Sequence, residues 1–512
     1  MSGHRLPSAP LPSVSVAHVD GRQAVEDRYR CFPGRVTRRF VTRVRAPSDG
    51  FTSPLRDPNG VSRTSAGPLA GLSVVEMTVH RAGPFCGALL ADLGADVVKI
   101  ERPGAGDPAR AQGPGPAGRS GYFMANNRNK RSVTLDLKTD AGTDAALSLL
   151  EAADVFVENF AYQVPEKLGV GYEAVRERNP EIVYASVKGY GETGPAREKK
   201  GLDLILQAEG GIMSVTGPAG GSPVKVGQAI GDLTAGMQAA IGVLARLYER
   251  GRIGNFGTES DGTNGGGTGI RDRNDIGRDG IDTGDDEGSA DAGTDAGAGE
   301  ESREFVGKFD VGLFDAIVSL MNEYLTFYSM NGEVPGPQGV THQSIVPYQL
   351  FETANGHVVT GVPSDDRWGA FCDLLSRDDL REYDSNESRM ANFEAVTGAV
   401  AEEFEEESTA YWLEVLTEYG FPNGPLNDIA DIVDHEQTAA RALTWSVDFD
   451  PGGDGATDSL LLPGHPLHFP DYDPELRRPA PELGEHTTEV FDGLAEQTTL
   501  NEWYDEGAFG SE

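Results

Sequence analysis

From Leu72 onward the chain repeats one unit, a short apolar run followed by a longer amphipathic one. Residues 73–77, 95–100, 132–135, 155–157 and 182–187 read as strands buried on both faces, and 84–93, 141–152 and 172–178 carry helical spacing between them. Strands alternating with crossover helices predict an α/β fold with a parallel, Rossmann-like sheet. Asp140 stands where an N-cap is expected, and Asn179-Pro180 ends the helix before it, because proline lacks the amide proton and disfavours helix in the residue ahead of it.

Charge narrows the class of partner. The 512 residues hold 81 Asp and Glu against 43 Lys and Arg, a net charge of −38. That balance argues against nucleic acid and against an anionic membrane face. No run approaches the roughly 18 apolar residues of a membrane span, and the opening lacks the apolar core and cleavage site of a secretory signal. Cys31, Cys86 and Cys372 form neither a CxxC pair nor a disulfide ladder. A cytoplasmic protein without a metal site is expected.

The charge is uneven along the chain. Residues 1–68 carry eleven Arg, no Lys and five acids, so they read as a disordered basic extension or an over-long start. Residues 255–304 carry thirteen Gly and fourteen acids against four Arg, which reads as a flexible acidic insertion without the regular spacing of a calcium-binding repeat. The acidic bias of the remainder resembles that of proteins from halophiles.

Between these anomalies the expected organisation is a large domain over 69–254, a linker and helix over 305–339, and a smaller α+β domain over 340–430. The closing segment, 431–512, is expected to return to the large domain. The smaller domain opens with a hairpin signal, 348–353 and 357–362 about Asn355-Gly356, a pair suited to a type I′ turn. Helices are expected near 367–375, 390–404, 408–419 and 487–494.

Two segments raise chemistry. The first strand, helix and second strand end in Glu101, as in a dinucleotide fold whose acid holds a ribose. However, the first turn has no GxGxxG, and the GxGxxA of 104–109 follows the wrong strand. The second segment is 224–249, where a predicted strand over 224–230 gives way to Gly231-Asp232 and a helix. Asp232 at that junction reads either as an N-cap or as a nucleophile close to helix amides. Small residues around it leave room for a substrate. Arg128, Lys130, Arg131 and Lys138, with Lys199-Lys200, form basic clusters that read as an anion site or as ordinary surface charge.

A set of motifs in order resembles the family III CoA-transferases of the CaiB/BaiF type, which include formyl-CoA transferase. They are LSVVEMTVHRAGP at 72–84, LGADVVKIER at 93–102, NKRSVTLDLK at 129–138, VENF at 157–160, NPEIVYASVKGY at 179–190, Gly231-Asp232, GLFDA at 312–316 and LGEH at 483–486. The resemblance spans roughly residues 69–493. It implies a dimer of two interlinked chains and a large domain that binds CoA and carries Asp232 as nucleophile.

The implied reaction passes CoA from an acyl-CoA donor to a carboxylic acid through aspartyl anhydrides and an aspartyl-CoA thioester. Coenzyme A enters as substrate, with no tightly bound cofactor and no metal. By position, Arg81, Ala82, Arg102, Leu135, Asp136, Leu137, Lys138, Asn159, Phe160, Ala161, Lys167, Lys200, Gly201, Leu202 and Asp203 are implied to line the CoA site. The lysines would meet phosphates, with Leu135 and Phe160 over adenine or pantetheine.

Departures limit the transfer. The glycine loop that closes formyl-CoA transferase has only Gly336-Pro-Gln-Gly339 as a short counterpart, so oxalate and formate do not carry over; a small dicarboxylate such as succinate or mesaconate is the analogy kept. Related racemases place a His before the residue matching Asp203, and here that residue is Leu202. An acyl-CoA racemase remains the alternative enzyme, and a CoA-binding protein in which Asp232 only caps a helix the alternative without turnover.

Overall fold

The computed structural model describes residues 67–115, 118–256, 305–449 and 458–510. The basic extension up to residue 66 and the acidic stretch 257–304 lie outside the described residues. The principal sheet has six strands, β1 (Ser73–Met77), β2 (Asp96–Glu101), β3 (Lys130–Thr134), β4 (Val155–Glu158), β5 (Val183–Lys188) and β6 (Lys308–Gly312). Their order is β3-β2-β1-β4-β5-β6, and every neighbouring pair is parallel.

Five of these strands lie within two residues of their expected bounds. The sixth falls in the stretch expected as linker and helix. It is an edge strand, only partly buried, and its Lys-Phe-Asp-Val-Gly sequence has no apolar run to announce it.

The helices that position the site are α1 (Ala82–Asp92), α2 (Gly121–Asn127), α3 (Asp140–Glu151), α4 (Tyr172–Arg178), α5 (Asp203–Glu209), α6 (Ile230–Phe256) and α7 (Leu313–Leu320). Alternation along each strand sends side chains to both faces. Val74, Val97, Val155 and Val183 pack with Cys86 and Leu90 of α1, Ala235 and Ala239 of α6, and Ile317 of α7. Val75, Val98, Phe156 and Tyr184 pack on the other face with α3 and with Phe491 and Trp503 from the C-terminal helices Thr487–Asp492 and Gln497–Asp505. Each fully buried side chain of this size contributes about 1.5–3 kcal/mol.

Asp140 does not cap α3. Thr139 does, its Oγ1 accepting from the amide of Gly142 at 2.9 Å, while Asp140 occupies the first turn. Both residues suit a helix start, so sequence left the choice one residue off.

A second, antiparallel sheet is formed by β7 (Tyr348–Thr353), β8 (Gly356–Gly361) and β9 (Asn423–Pro425). It shares a core of Phe351, Trp368, Phe371, Phe404 and Trp412 with helices Trp368–Leu375, Phe393–Glu406 and Thr409–Glu418. The hairpin forms, but its loop is Ala354-Asn355, because Thr353 pairs with Gly356. Neither loop residue has a positive φ, so the expected type I′ turn is not made. Outside bonds hold the turn instead. Ala354 donates its amide to Glu407 O, and Asn355 Oδ1 accepts from the amide of Thr409. A further hairpin of β10 (Thr444–Phe449) and β11 (Asp458–Pro463) packs Val447 and Leu462 against Phe123 and Met124.

The basic cluster at 128–131 belongs to the interior, which corrects its reading as an anion site. Lys130 Nζ lies 2.8 and 3.0 Å from the two oxygens of Glu76, and Lys99 Nζ lies 3.2 Å from Asp107 Oδ2 and 3.4 Å from Glu76 Oε1. Arg128 pairs with Asp92 at 2.6 Å, and Arg131 with Asp96 and Glu489. Burial pushes Lys130 down to about 8, with Glu76 opposing. Gly87 is required where α1 crosses this pair, since a Cβ there would stand 1.8 Å from Glu76 Oε2. Glu101 is also occupied, by Arg110 at 2.6 and 2.8 Å and by Ser132 at 2.6 Å, so it is not free to hold a ribose.

Candidate active site

In a sheet of this order the chain turns in opposite directions from β1 and β4, leaving a crevice at their carboxyl ends. Two loops meet there. Asn159, just past β4, accepts from the amide of Val79 at 2.7 Å and returns its Nδ2 to Val79 O at 2.8 Å. Lys99 Nζ donates to Thr78 O at 2.7 Å, and Asp107 Oδ1 accepts from the amide of His80 at 3.0 Å. His80 is thereby held in the left-handed region, with φ of 62°. The next residue, Arg81, begins α1, whose first turn has no side-chain cap.

Asp232 lies in the first turn of α6, close to the start of α1: a Cβ at Gly236, one turn on, would stand 2.6 Å from Ala82 O, and Arg81 acts on the Asp232 carboxyl. The segment before it is irregular instead of the expected strand, and the helix begins at Ile230, so Asp232 is neither at a strand end nor an N-cap. The capping is done from outside. Asp203 Oδ1 accepts from the amide of Gly231 at 2.8 Å and, more weakly, from that of Asp232 at 3.4 Å. A Cβ at Gly231 would lie 3.0 Å from that oxygen and 2.8 Å from Ile317 Cδ1, so glycine is what lets the helix start approach. Among the described residues nothing donates a hydrogen bond to the Asp232 carboxylate.

Burial, helped by the negative charge of Asp203 and opposed by Arg81, raises the Asp232 carboxyl to about 6. At neutral pH it is therefore an ionised carboxylate more basic than an ordinary aspartate, which suits a nucleophile. Arg81 lies with its guanidinium carbon 4.6 Å from the Tyr122 ring centroid, and its longest-range partner is Gln228 Oε1 at 3.4 Å. Its Nε is buried without a partner, and no ion pair within 4.0 Å joins it to Asp232. Arg81 thus acts electrostatically on Asp232 without an ion pair to it.

The residues implied for CoA follow the carboxyl ends of successive strands. Arg81 and Ala82 come after β1, Arg102 after β2, Leu135 to Lys138 after β3, and Asn159 to Ala161 after β4. Lys200 to Asp203 reach the same edge because Gly201 packs on Gly189, which follows β5. Leu137, Lys138 and Lys167 line one open cleft of about 410 Å³ with Thr139 and Thr143. Neither lysine Nζ has a partner among the described residues.

Some of these positions take other roles. Leu135 is 1% exposed and packs in the core, so its side chain covers no ligand. Phe160 also leans on that core while remaining partly exposed. Lys199 pairs with Glu209, and Lys200, exposed like it, has no carboxylate partner among the described residues. Leu202 is 67% exposed. Gly339 donates to Gly217 O at 2.8 Å, joining the short 336–339 loop to the glycine-rich turn at 217–221. Tyr122, Gln228, Gln207 and Asp107 were not found by sequence reasoning. Only Asp203 and Gln207 gave a signal, their spacing of four on one helix face.

Among the described residues no cluster of His, Cys, Asp and Glu could hold a metal ion, and no helix is long and apolar enough to cross a membrane. Cys86 is buried and pushed up to about 12, chiefly by desolvation, which leaves its thiol inert.

The chain matches the profile of the family described as CoA-transferase family III over residues 69–259 and 304–487. It is 36% identical over 445 residues to a protein of Haloarcula marismortui named succinyl-CoA:mesaconate CoA-transferase, covering 85% of this chain and 98% of that one. It is 30% identical over 442 residues to the human succinyl-CoA:glutarate CoA-transferase, covering 85% and 87%. Among solved structures it is similar to a CaiB/BaiF family protein from Brucella suis, with a TM-score of 0.65, 30% identity, and coverage of 84% and 100%.

Proposed function

The chain belongs to CoA-transferase family III, and we propose on that premise that it moves CoA from succinyl-CoA to a second small dicarboxylate of the mesaconate class, with Asp232 as nucleophile. It is a CoA-transferase; the acids and the residue roles are the proposal. The dicarboxylate class is supported by relatives whose names pair succinyl-CoA with mesaconate or glutarate. The mechanism rests on one observation, a basic carboxylate left without a hydrogen-bond donor at the switch point of the sheet, beside an arginine Nε left without an acceptor.

In the first step an Asp232 oxygen attacks the succinyl thioester carbonyl. The C–S bond breaks, CoA leaves as thiolate, and a mixed anhydride remains. The thiolate then attacks the aspartyl carbonyl, so succinate departs and an aspartyl-CoA thioester forms. The acceptor carboxylate attacks that thioester, giving a second anhydride and thiolate. Attack of the thiolate on the acceptor carbonyl releases the new acyl-CoA and restores the Asp232 carboxylate.

Arg81 is suited to carry the oxyanion of these tetrahedral states, with the α1 amides alongside. Lys138 and Lys167 are suited to the phosphates of CoA, and Asn159 holds the loop that presents Arg81. Exposed Leu204, Ile205, Met237, Ile241, Tyr328 and Met330 support a homodimer that covers them. The racemase reading loses its base, since Leu202 stands where that chemistry needs a His. Action in the cytoplasm and in high salt completes the proposal.

The test incubates the protein in concentrated salt with succinyl-CoA and isotopically labelled mesaconate, followed by mass spectrometry. Labelled mesaconyl-CoA and free succinate are expected, Asp232 should appear as a hydroxamate after hydroxylamine trapping, and Asp232→Ala should lose ~10³-fold or more in turnover. Exchange of an α-proton without CoA reaching any acid would replace the transferase by the racemase. Product accumulating while Asp232 stays unmodified would remove it as nucleophile.

A further inference from the structure

Helix α6 begins without a cap of its own, because Ala229 before it has no side-chain oxygen. Two residues one turn apart on α5 replace the cap. Asp203 takes the amides of Gly231 and Asp232 with Oδ1, and its Oδ2 accepts from Gln207 Nε2 at 2.7 Å. Gln207 is fully buried. Its Nε2 also donates to Gln228 O at 3.2 Å, and its Oε1 accepts from the amide of Val226 at 2.9 Å. One carboxylate and one amide therefore hold the backbone at Val226, Gln228, Gly231 and Asp232. This arrangement has a charge cost, since a neutral cap would have satisfied the same amides without placing a second carboxylate next to the first.

We propose that Asp203 and Gln207 are positioning residues for the transfer: together they fix the start of α6, and the fixed negative charge of Asp203 favours the acylated forms of Asp232 over its free carboxylate. The inference rests on Asp232 being the nucleophile. Acylation, whether as anhydride or as aspartyl-CoA, removes the charge of Asp232 and with it the repulsion from Asp203. In the anhydride that charge passes to the CoA thiolate, and on formation of aspartyl-CoA it leaves the site with the released dicarboxylate. The covalent intermediates are stabilised relative to free enzyme by the same free energy that makes the free carboxylate more basic. The charged and titratable groups facing Asp232 are Asp203 from α5, Arg81 from the turn after β1, and Tyr122 from the start of α2. Arg81 opposes the effect and is unchanged in the variants below. Asp203, read from family position as a CoA contact, is thus assigned to the backbone of the nucleophile helix.

The test uses the full-length chain and two variants, Asp203→Asn and Gln207→Ala, with folding checked by circular dichroism. For each, the acidic limb of kcat/KM for succinyl-CoA is measured. The ratio of aspartyl-CoA to free enzyme is read by intact mass with succinyl-CoA and succinate at fixed concentrations. Asp203→Asn is expected to move the limb to lower pH by about one unit and to lower the covalent ratio about tenfold, since one pKa unit and one decade are the same free energy. Gln207→Ala, which retains the charge, is expected to lower kcat with the limb and the ratio unmoved.

If Asp203→Asn leaves both quantities in place, or moves one without the other, the inference is overturned. If Asp203→Asn does not fold, Gln207→Ala decides: a wild-type ratio with lowered kcat supports the inference, and a lowered ratio overturns it. Turnover by the wild type with no adduct at Asp232 would instead bring down the nucleophile reading on which the inference stands.

Discussion

Glu76 and Asp232 are both carboxylates held close to α1, one against Gly87 and one near its start. Glu76 is met by two lysines, Lys130 at 2.8 Å and Lys99 at 3.4 Å, and all three side chains are fully buried. Asp232 is partly exposed, accepts no side-chain donor, and stands beside a second carboxylate. The contrast extends to cations. Arg128, Lys130 and Lys188 are paired inside, whereas Lys138 and Lys167 line an open cleft without side-chain partners among the described residues. Where charges are paired they build the scaffold, and the proposed site lies where pairing is withheld.

The largest effect should come from breaking the interior. Glu76→Ala leaves Lys130 and Lys99 buried against each other, and loss of one partner of a buried pair costs about 3–5 kcal/mol. We expect a chain that is largely unfolded, or whose denaturant midpoint falls by that amount. Asp232→Ala should not lower its midpoint while it loses turnover. A folded, active Glu76→Ala chain would erase the distinction between the two carboxylates.

The second prediction concerns pH and has the opposite sign from the usual carboxylate. Because the folded-state value of Asp232 lies near 6, above its ordinary value of 3.8, folding favours the protonated form. Its contribution is most favourable below about pH 4 and is lost as pH rises through 6. Asp232→Asn carries no such penalty. It should therefore be more stable than wild type by about 1–2 kcal/mol at pH 8, after allowance for the partial exposure of the site. The gap should close near pH 4. Denaturant titrations across that range check it, and equal stability at pH 8 would mean that the Asp232 carboxylate is not held at a cost.

How far sequence reasoning reached follows the same division. The five interior strands were legible because continuous apolar runs leave little choice of structure. The sixth was not, since Lys308–Gly312 is an edge strand whose partial burial imposes no pattern. Motif order singled out Arg81, Lys138 and Asn159, which lie on loops after β1, β3 and β4, and Asp203, which opens α5. Burial was not legible. Four basic residues within 128–138 look alike in sequence, yet Arg128, Lys130 and Arg131 are buried against Asp92, Glu76 and Asp96, whereas Lys138, beyond the end of β3, is exposed. The external cap on α6 was hidden for another reason, because Asp203 and Gly231 are brought together by tertiary packing and no local spacing encodes the contact.

The smallest effect should come from the outward-facing lysines, and it sharpens the comparison most directly. Lys138 and Lys167 line the cleft without carboxylate partners, so removing either charge disturbs no ion pair and should leave the denaturant midpoint within about 0.5 kcal/mol of wild type. If they meet CoA phosphates, each Lys→Ala change forfeits a partly screened charge-assisted contact worth about 1 kcal/mol. That corresponds to a KM for the acyl-CoA raised about fivefold with kcat unchanged. The KM for the free acceptor acid should not move, because the acid carries no nucleotide. The difference between wild type and variant should shrink as salt rises, which is the signature of an exposed charge. A variant in which kcat falls while KM stays fixed would show that these lysines act on the transition state, and the cleft would then belong to the chemistry instead of to the binding of CoA.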